Sequence, residues 1–315
     1  MHQTRLGRGT GGQGEVAVRG VRVDAHAHVF RSVTDDYPRG ANEMVPSDRE
    51  ASIEQLSAEM DTAGVDAAVL VPLDHHDRYV AEALASEPNR FAAVGVAGAA
   101  VLGKTDDDPV EVLRIRRTLF PFHALRASWL GDAERSVKES PFLPVAEALS
   151  EQGLPLWTYL PPDQLPLLEE LVQVVPDLVV VLNHMGFCPF EKRVDGHGRP
   201  WFPDPFPQST LAALQRLSDV ENVHVSFAGQ YAFSRQQPPY QDLNEVVASI
   251  VSWYGASRMM WGSDYPWIEE EPGYGAMADL PRASLPQLSQ ADLAEVSGGT
   301  ALRLFPHLAG TLQAV

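Results

Sequence analysis

The chain has 315 residues, 44% of them hydrophobic, and its 42 acidic and 24 basic side chains leave a formal net charge of −18. This is enough sequence for one large domain or two small ones, and the acidic balance argues against a nucleic-acid or anionic-membrane partner. Cys188 is the only cysteine, so no internal disulfide can form and the composition reads as cytoplasmic. Residues 1–19 lack the apolar run of a signal peptide and read as a flexible arm. Residues 20–315 read as the folded domain, with no window apolar enough for a membrane helix.

The first element is a strand over Val21–His28. Simple alternation puts Asp24, His26 and His28 on one face and Val21, Val23, Ala25 and Ala27 on the other. Two imidazoles then project together from one strand end. The polar loop Arg31–Pro46 is long enough to cover a barrel mouth, and Ser47-Asp48-Arg49-Glu50 fits a helix-capping box. Ile53, Leu56, Met60 and Ala63 follow at helical spacing until Gly64 stops the helix.

From there strands and helices alternate. Strands are expected over Val65–Pro72, Phe91–Ala97, His123–Ser128, Leu154–Leu160, Leu178–His184, Asn222–Ala228 and Met259–Asp264. Helices are expected over Arg78–Ser86, Pro109–Leu119, Pro144–Gln152, Pro162–Val175, Ser209–Leu217, Asp242–Trp253 and Gln287–Val296. The stretch 187–208, rich in proline and aromatics, reads as a lid or as a contact in a homo-oligomer. Eight such units predict a single (β/α)8 TIM barrel with its chemistry at the C-terminal strand ends. An open doubly wound sheet is the alternative, but no strand is followed by a Gly-x-Gly-x-x-Gly turn.

On a barrel, His26 and His28 end strand one, His184 ends strand six and Asp264 ends strand eight, so all four share one rim. Three imidazoles and a carboxylate suit one divalent metal ion, zinc in particular, with room left for water or substrate. The segments Val23-Asp24-Ala25-His26-Ala27-His28-Val29-Phe30, Leu182-Asn183-His184-Met185-Gly186 and Trp261-Gly262-Ser263-Asp264-Tyr265-Pro266-Trp267 closely resemble the amidohydrolase superfamily. The resemblance is to its amidohydrolase-related branch, which includes pyrone-dicarboxylate and sugar lactonases and, more distantly, decarboxylases. It extends over roughly Val21–Pro306, with Thr300 standing where the family usually has Asn.

The resemblance implies that His26, His28 and His184 either ligate one metal with Asp264 or polarise the substrate carbonyl without one. It further implies that Asp264 is the general base. Arg126, Tyr159 and Arg235 resemble positions that hold substrate carboxylates, although an arginine paired with a neighbouring acid is the plainer reading. Trp267, with Trp129 and Trp157, either walls an apolar pocket or belongs to the core. His75 and His76 either reach the mouth or begin a solvated helix. His224 reads as packing, and Cys188 lacks an evident activating base.

The expected function is therefore hydrolysis of a small cyclic ester or amide, a carboxylated lactone above all, by Asp-activated water. A nonhydrolytic decarboxylase of the same superfamily is one alternative, weakened because Phe227-Ala228-Gly229-Gln230-Tyr231 offers no further histidine after strand seven. A barrel that binds a ligand without turning it over is the other.

Overall fold

The computed structural model describes residues 20–312 apart from residues 187 and 197. The arm expected over residues 1–19 thus lies outside the described residues. The strands are β1 (Val23–Ala27), β2 (Ala67–Leu70), β3 (Phe91–Val96), β4 (Ala124–Ala127), β5 (Leu156–Thr158), β6 (Val180–Leu182), β7 (Val223–Phe227) and β8 (Met259–Trp261). They pair in parallel and in chain order. Beyond β8 the chain returns to β1: Asp264 N–H donates to His26 O at 2.9 Å and His28 N–H to Tyr265 O at 2.8 Å. The result is a (β/α)8 barrel whose last seam is the backbone that carries His26, His28 and Asp264.

Helices α1 (Ile53–Ala63), α2 (Arg78–Ser86), α3 (Pro109–Leu119), α4 (Leu143–Glu151), α5 (Leu165–Val174), α6 (Gln208–Leu217), α7 (Asn244–Tyr254) and α8 (Tyr274–Ser284) flank the strands. α1 corrects one expectation, because its capping box is Ser52 with Gln55 and not Ser47 with Glu50. Ala51 is still extended there, exchanging backbone hydrogen bonds with Phe30 at 2.8 and 2.9 Å, so the helix can begin only after it. α8 has no helical signature in the sequence. Its Gly275 and Pro281 interrupt the helical pattern, although Met277, Ala278 and Leu280 are buried.

The simple alternation assumed for the first strand also fails, for one physical reason. Asp24 pairs with Ala68 and Ala27 with Leu70, so three steps on β1 answer two on β2, which is a β-bulge. Val23 and Ala25 pack inside the barrel with Val69, Val94, Trp157 and Met260, whereas Ala27 packs in the outer layer. The extra residue reverses the parity. Asp24 is left on the outer side, and His26 and His28 turn toward the axis, where His26 meets the ring of His184.

Asp24 is buried and accepts four hydrogen bonds. They come from His26 N–H (3.1 Å), Ser263 N–H (2.8 Å), the Ser263 hydroxyl (2.6 Å) and the Tyr274 hydroxyl (2.9 Å). Burial pushes its carboxyl up to about 6, and these donors restrain the rise. One side chain therefore clasps β1, the segment after β8, and α8.

Inside the barrel a column of rings runs down from the rim. His26 stacks on Trp157 at 6.2 Å between centroids, and Trp157 meets Phe305 at 6.2 Å. Phe305, Ala301 and Leu308 of the closing helical segments fill the interior from the opposite end. Thr300 donates to Ala256 O at 3.3 Å. Nearby, His123 and His307 stack at 4.0 Å with 14° between their planes. Burial, then the proximity of His307 and Arg117, pushes His123 down to about 4, and burial lowers His307 as well.

Two outcomes follow from these contacts. Replacing Asp24 by Ala strands two backbone N–H groups and two hydroxyls in the interior. Denaturant unfolding should show a loss of about 3 kcal/mol or more. For the stacked pair, a lowered folded pKa means that the unfolded chain takes up the proton first. The stability this pair contributes is present above pH 6.5 and fades as the pH falls toward 4. The His123→Phe variant should lose less stability than the parent chain between pH 7 and pH 5, with equal slopes disproving the assignment.

Candidate active site

The rim residues are held by backbone that few residues adopt. His184 (φ 45°), Met185 (φ 58°) and Asp264 (φ 61°) all occupy the left-handed region, a strained setting that recurs at functional sites. Two glycines make the close approach achievable. A Cβ at Gly262 would lie 2.8 Å from His26 Cβ, and one at Gly229 (φ +79°) would lie 3.0 Å from His184 Nδ1.

The imidazoles converge on one carboxylate. Asp264 Oδ1 lies 3.3 Å from His28 Nε2 and 3.6 Å from His26 Nε2, and Asp264 Oδ2 lies 3.8 Å from His184 Nε2. His28 Nδ1–H donates to Val71 O at 2.7 Å, which leaves its Nε2 with a lone pair. That nitrogen faces His26 Nε2 at 3.2 Å, and two such atoms need a proton or a cation between them. Ligands at zinc distances of about 2.0–2.1 Å in a tetrahedron lie about 3.3–3.4 Å apart, so His26, His28 and Asp264 fit one ion, with His184 beside them.

Electrostatics sharpen the division of roles. Burial alone would raise the Asp264 carboxyl, but the close approach of His184, His28 and His26 holds it well below the usual carboxylate range. Burial lowers His26 far below its ordinary value and His184 to about 4, leaving both neutral at physiological pH. The Tyr231 hydroxyl donates to Asp264 Oδ2 at 2.6 Å, so one carboxylate oxygen is engaged while Oδ1 faces the imidazoles.

A cavity of about 320 Å³ opens onto His28, His184 and Asp264, with Arg126, Tyr159, Lys192 and Trp267 on its wall. Arg126 lies over the Tyr159 ring at 5.0 Å, and burial lowers its pKa. Among the described residues its guanidinium has no hydrogen bond or ion pair. The structure thus brings Arg126, Tyr159 and Trp267 to the cavity together with His28, His184 and Asp264, with His26 buried behind them.

Arg235 is not brought there. Its guanidinium covers Trp201 at 4.1 Å and donates to Phe202 O (3.2 Å) and Pro203 O (2.9 Å). It secures the segment after a small antiparallel ribbon, Arg193–Val194 with Pro200–Trp201. Trp157 belongs to the interior core, and Trp129 lies under Lys104 at 4.1 Å. His224 is half-buried within β7, its Nδ1 meeting Asn222 O at 3.3 Å. His75 and His76 line a neighbouring cavity instead. Tyr231 lies in a segment that offers no histidine, and its role emerges from its hydrogen bond to Asp264. Its position just past β7 was the available signal.

The sequence model of the amidohydrolase family matches residues 23–307. The L-fucono-1,5-lactonase of Burkholderia ambifaria is 25% identical over 249 residues, 78% of this chain and 80% of its own. A Pseudomonas putida structure solved under the provisional name 2-pyrone-4,6-dicarboxylic acid hydrolase superposes with a TM-score of 0.68 at 23% identity. That match covers 92% of this chain and 99% of the other. A Burkholderia multivorans amidohydrolase with bound zinc superposes at 0.70 with 20% identity, covering 91% and 99%. These two structural likenesses establish a shared fold.

Removing the Tyr231 hydroxyl should leave the fold intact and free Asp264 Oδ2. Losing one hydrogen bond to a charged group corresponds to a drop of about tenfold in kcat. Steady-state kinetics of Tyr231→Phe, with a matched thermal melt, checks this.

Proposed function

The chain belongs to the amidohydrolase family, and from that premise we propose that it hydrolyses a small cyclic ester, specifically a lactone that carries a carboxylate. The observation that carries the reading is the convergence of His26, His28 and His184 on Asp264 at the open end of the barrel. Similarity to a fuconolactonase supports a lactone. The unpartnered guanidinium of Arg126 on the cavity wall supports an anionic one.

In this reading the lactone carbonyl oxygen lies toward the imidazoles and the carboxylate toward Arg126 and Tyr159. Water attacks the carbonyl carbon while Asp264 Oδ1, an ionised carboxylate, takes its proton. The carbonyl π pair moves onto oxygen; when it returns, the ring C–O bond breaks. Asp264 delivers the proton to the departing ring oxygen, and the product is an open-chain hydroxy acid. His26, aimed by the bulge, and His184, aimed by its left-handed backbone, stabilise the charge that develops on the carbonyl oxygen, with His28 held beside them by Val71. His26, His28, His184 and Asp264 would hold a divalent ion, which we take to be zinc, and it would supply Lewis-acid polarisation and a more acidic water.

The Asp264→Asn variant should lose about 10²–10⁴-fold in kcat; unchanged turnover would remove Asp264 as the base. Arg126→Met should raise KM for a carboxylated lactone and leave a neutral sugar lactone unaffected, whereas equal effects on both would take the carboxylate out of the proposal. Elemental analysis of protein purified without added metal, paired with activity before and after chelation, addresses the ion. One transition metal per chain lost together with activity supports it. Activity that survives metal removal assigns carbonyl polarisation to the imidazoles directly.

A further inference from the structure

Leu73 and Asp74 line two cavities at once. One is the active-site cavity; the other, of about 370 Å³, lies beside it and is also lined by His75 and His76. Neither histidine has a part in the reaction described above.

Asp74 is unusually well placed for a carboxylate at a surface. Its Oδ2 accepts from Gly40 N–H of the mouth loop at 2.8 Å. Its Oδ1 accepts from His76 N–H at 2.9 Å and lies 3.1 Å from His76 Nδ1. The rings of His75 and His76 lie 4.1 Å apart between centroids with 36° between their planes. One donor atom from each of the three residues falls within 4.8 Å of the other two.

Two imidazoles and a carboxylate are donors that favour borderline divalent transition metals over calcium or magnesium. The separation between His76 Nδ1 and Asp74 Oδ1 matches that of two ligands sharing one ion as well as it matches a shared proton. Both histidines are exposed, so rotation about their side-chain bonds brings the remaining nitrogen in at little cost. The neighbouring arginines are already engaged: Arg116 pairs with Asp77, Arg78 with Asp36 and Glu82, and Arg31 with Glu50 and Glu54, while Arg39, whose field reaches Asp74, is spread over five carbonyls in and just after the mouth loop. A cation arriving at Asp74 is therefore not met by a free arginine from these elements, and the net charge of −18 favours its approach.

We propose that Asp74, His75 and His76 form a second binding site for a divalent transition-metal ion, separate from the rim histidines and opening into the neighbouring cavity. The site stands independently of the lactonase reading. Because Asp74 also anchors Gly40, an ion there shares its carboxylate ligand with the loop that borders the active-site cavity.

The test compares the intact protein with His75→Ala/His76→Ala, both equilibrated beforehand with the same zinc and then titrated with Cu²⁺. Calorimetry gives the stoichiometry, and electron paramagnetic resonance reports nitrogen ligation. Exchange at the rim histidines is common to both proteins and cancels in the difference. The parent chain should bind one more copper than the variant, or bind it about tenfold or more tightly, with an additional nitrogen-ligated copper signal in the difference spectrum. Equal stoichiometry and affinity in the two proteins overturns the proposal. His75→Gln/His76→Gln, which keeps polarity and approximate size at these exposed positions, serves as the second variant should the alanine form fold poorly.

Discussion

The site depends on one extra residue in β1. A regular strand would place Asp24, His26 and His28 on the same face, and both imidazoles would share the orientation of a carboxylate that here faces outward. The bulge gives His26 and His28 to the barrel axis while Asp24 remains behind the sheet. A bulge interrupts the ladder and leaves backbone groups without partners. Asp24 resolves this by accepting His26 N–H, and at the same time it binds the segment after β8 through Ser263 and α8 through Tyr274. Burying a carboxylate is costly unless its lone pairs are satisfied. Here the donors that satisfy it are those whose positions decide where His26 and Asp264 stand.

That clasp explains how a strained rim persists. Left-handed backbone at His184 and Asp264 costs of order 1–3 kcal/mol at each position, and it is tolerated where the surroundings leave no alternative. Asp264 is held by its own N–H on His26 O, by the Tyr231 hydroxyl on Oδ2 and by the absence of a side chain at Gly262. His26 is held from below by Trp157, itself in contact with Phe305 from the closing segments. Polar geometry at one end of the barrel thus rests on apolar packing that reaches toward the other, which is the preorganisation that electrostatic stabilisation of a transition state requires.

What could be read from the sequence was what repeats. α2 and α3 run over Arg78–Ser86 and Pro109–Leu119 as their periodicity indicates, and Gly64 ends α1 in the left-handed conformation. The strand ends carried the candidate site, because on a barrel strand ends share a rim whatever their separation in the chain. What stayed hidden depended on contacts between distant segments. The bulge is a register difference between β1 and β2, not a property of either alone. The capping box moved because Phe30 holds Ala51 extended. Arg235 was an arginine in a promising place until Trp201 and two carbonyls claimed it. Tyr231 became visible only once Asp264 Oδ2 had a position.

The arginines carry the last step. Arg39 serves carbonyls of Arg31, Gly40, Val45, Pro46 and Arg49, and so shapes the loop over the mouth. Arg199 joins Asp195 to the Glu271 carbonyl and lies 5.8 Å from the Tyr231 ring. These cations are spent on architecture. Arg126 is kept from such duties, over Tyr159 and facing the cavity, in a chain with 42 acidic side chains available to pair with it. A half-buried guanidinium with no directly paired anion has lost part of its hydration and gained little in exchange. A neutral lactone would leave that deficit in place, whereas a carboxylated one would remove it on binding. In the proposed reaction, discrimination between two lactones of similar size would come from the penalty for leaving Arg126 unpaired more than from shape, because a site built for a polar group rejects ligands that lack it.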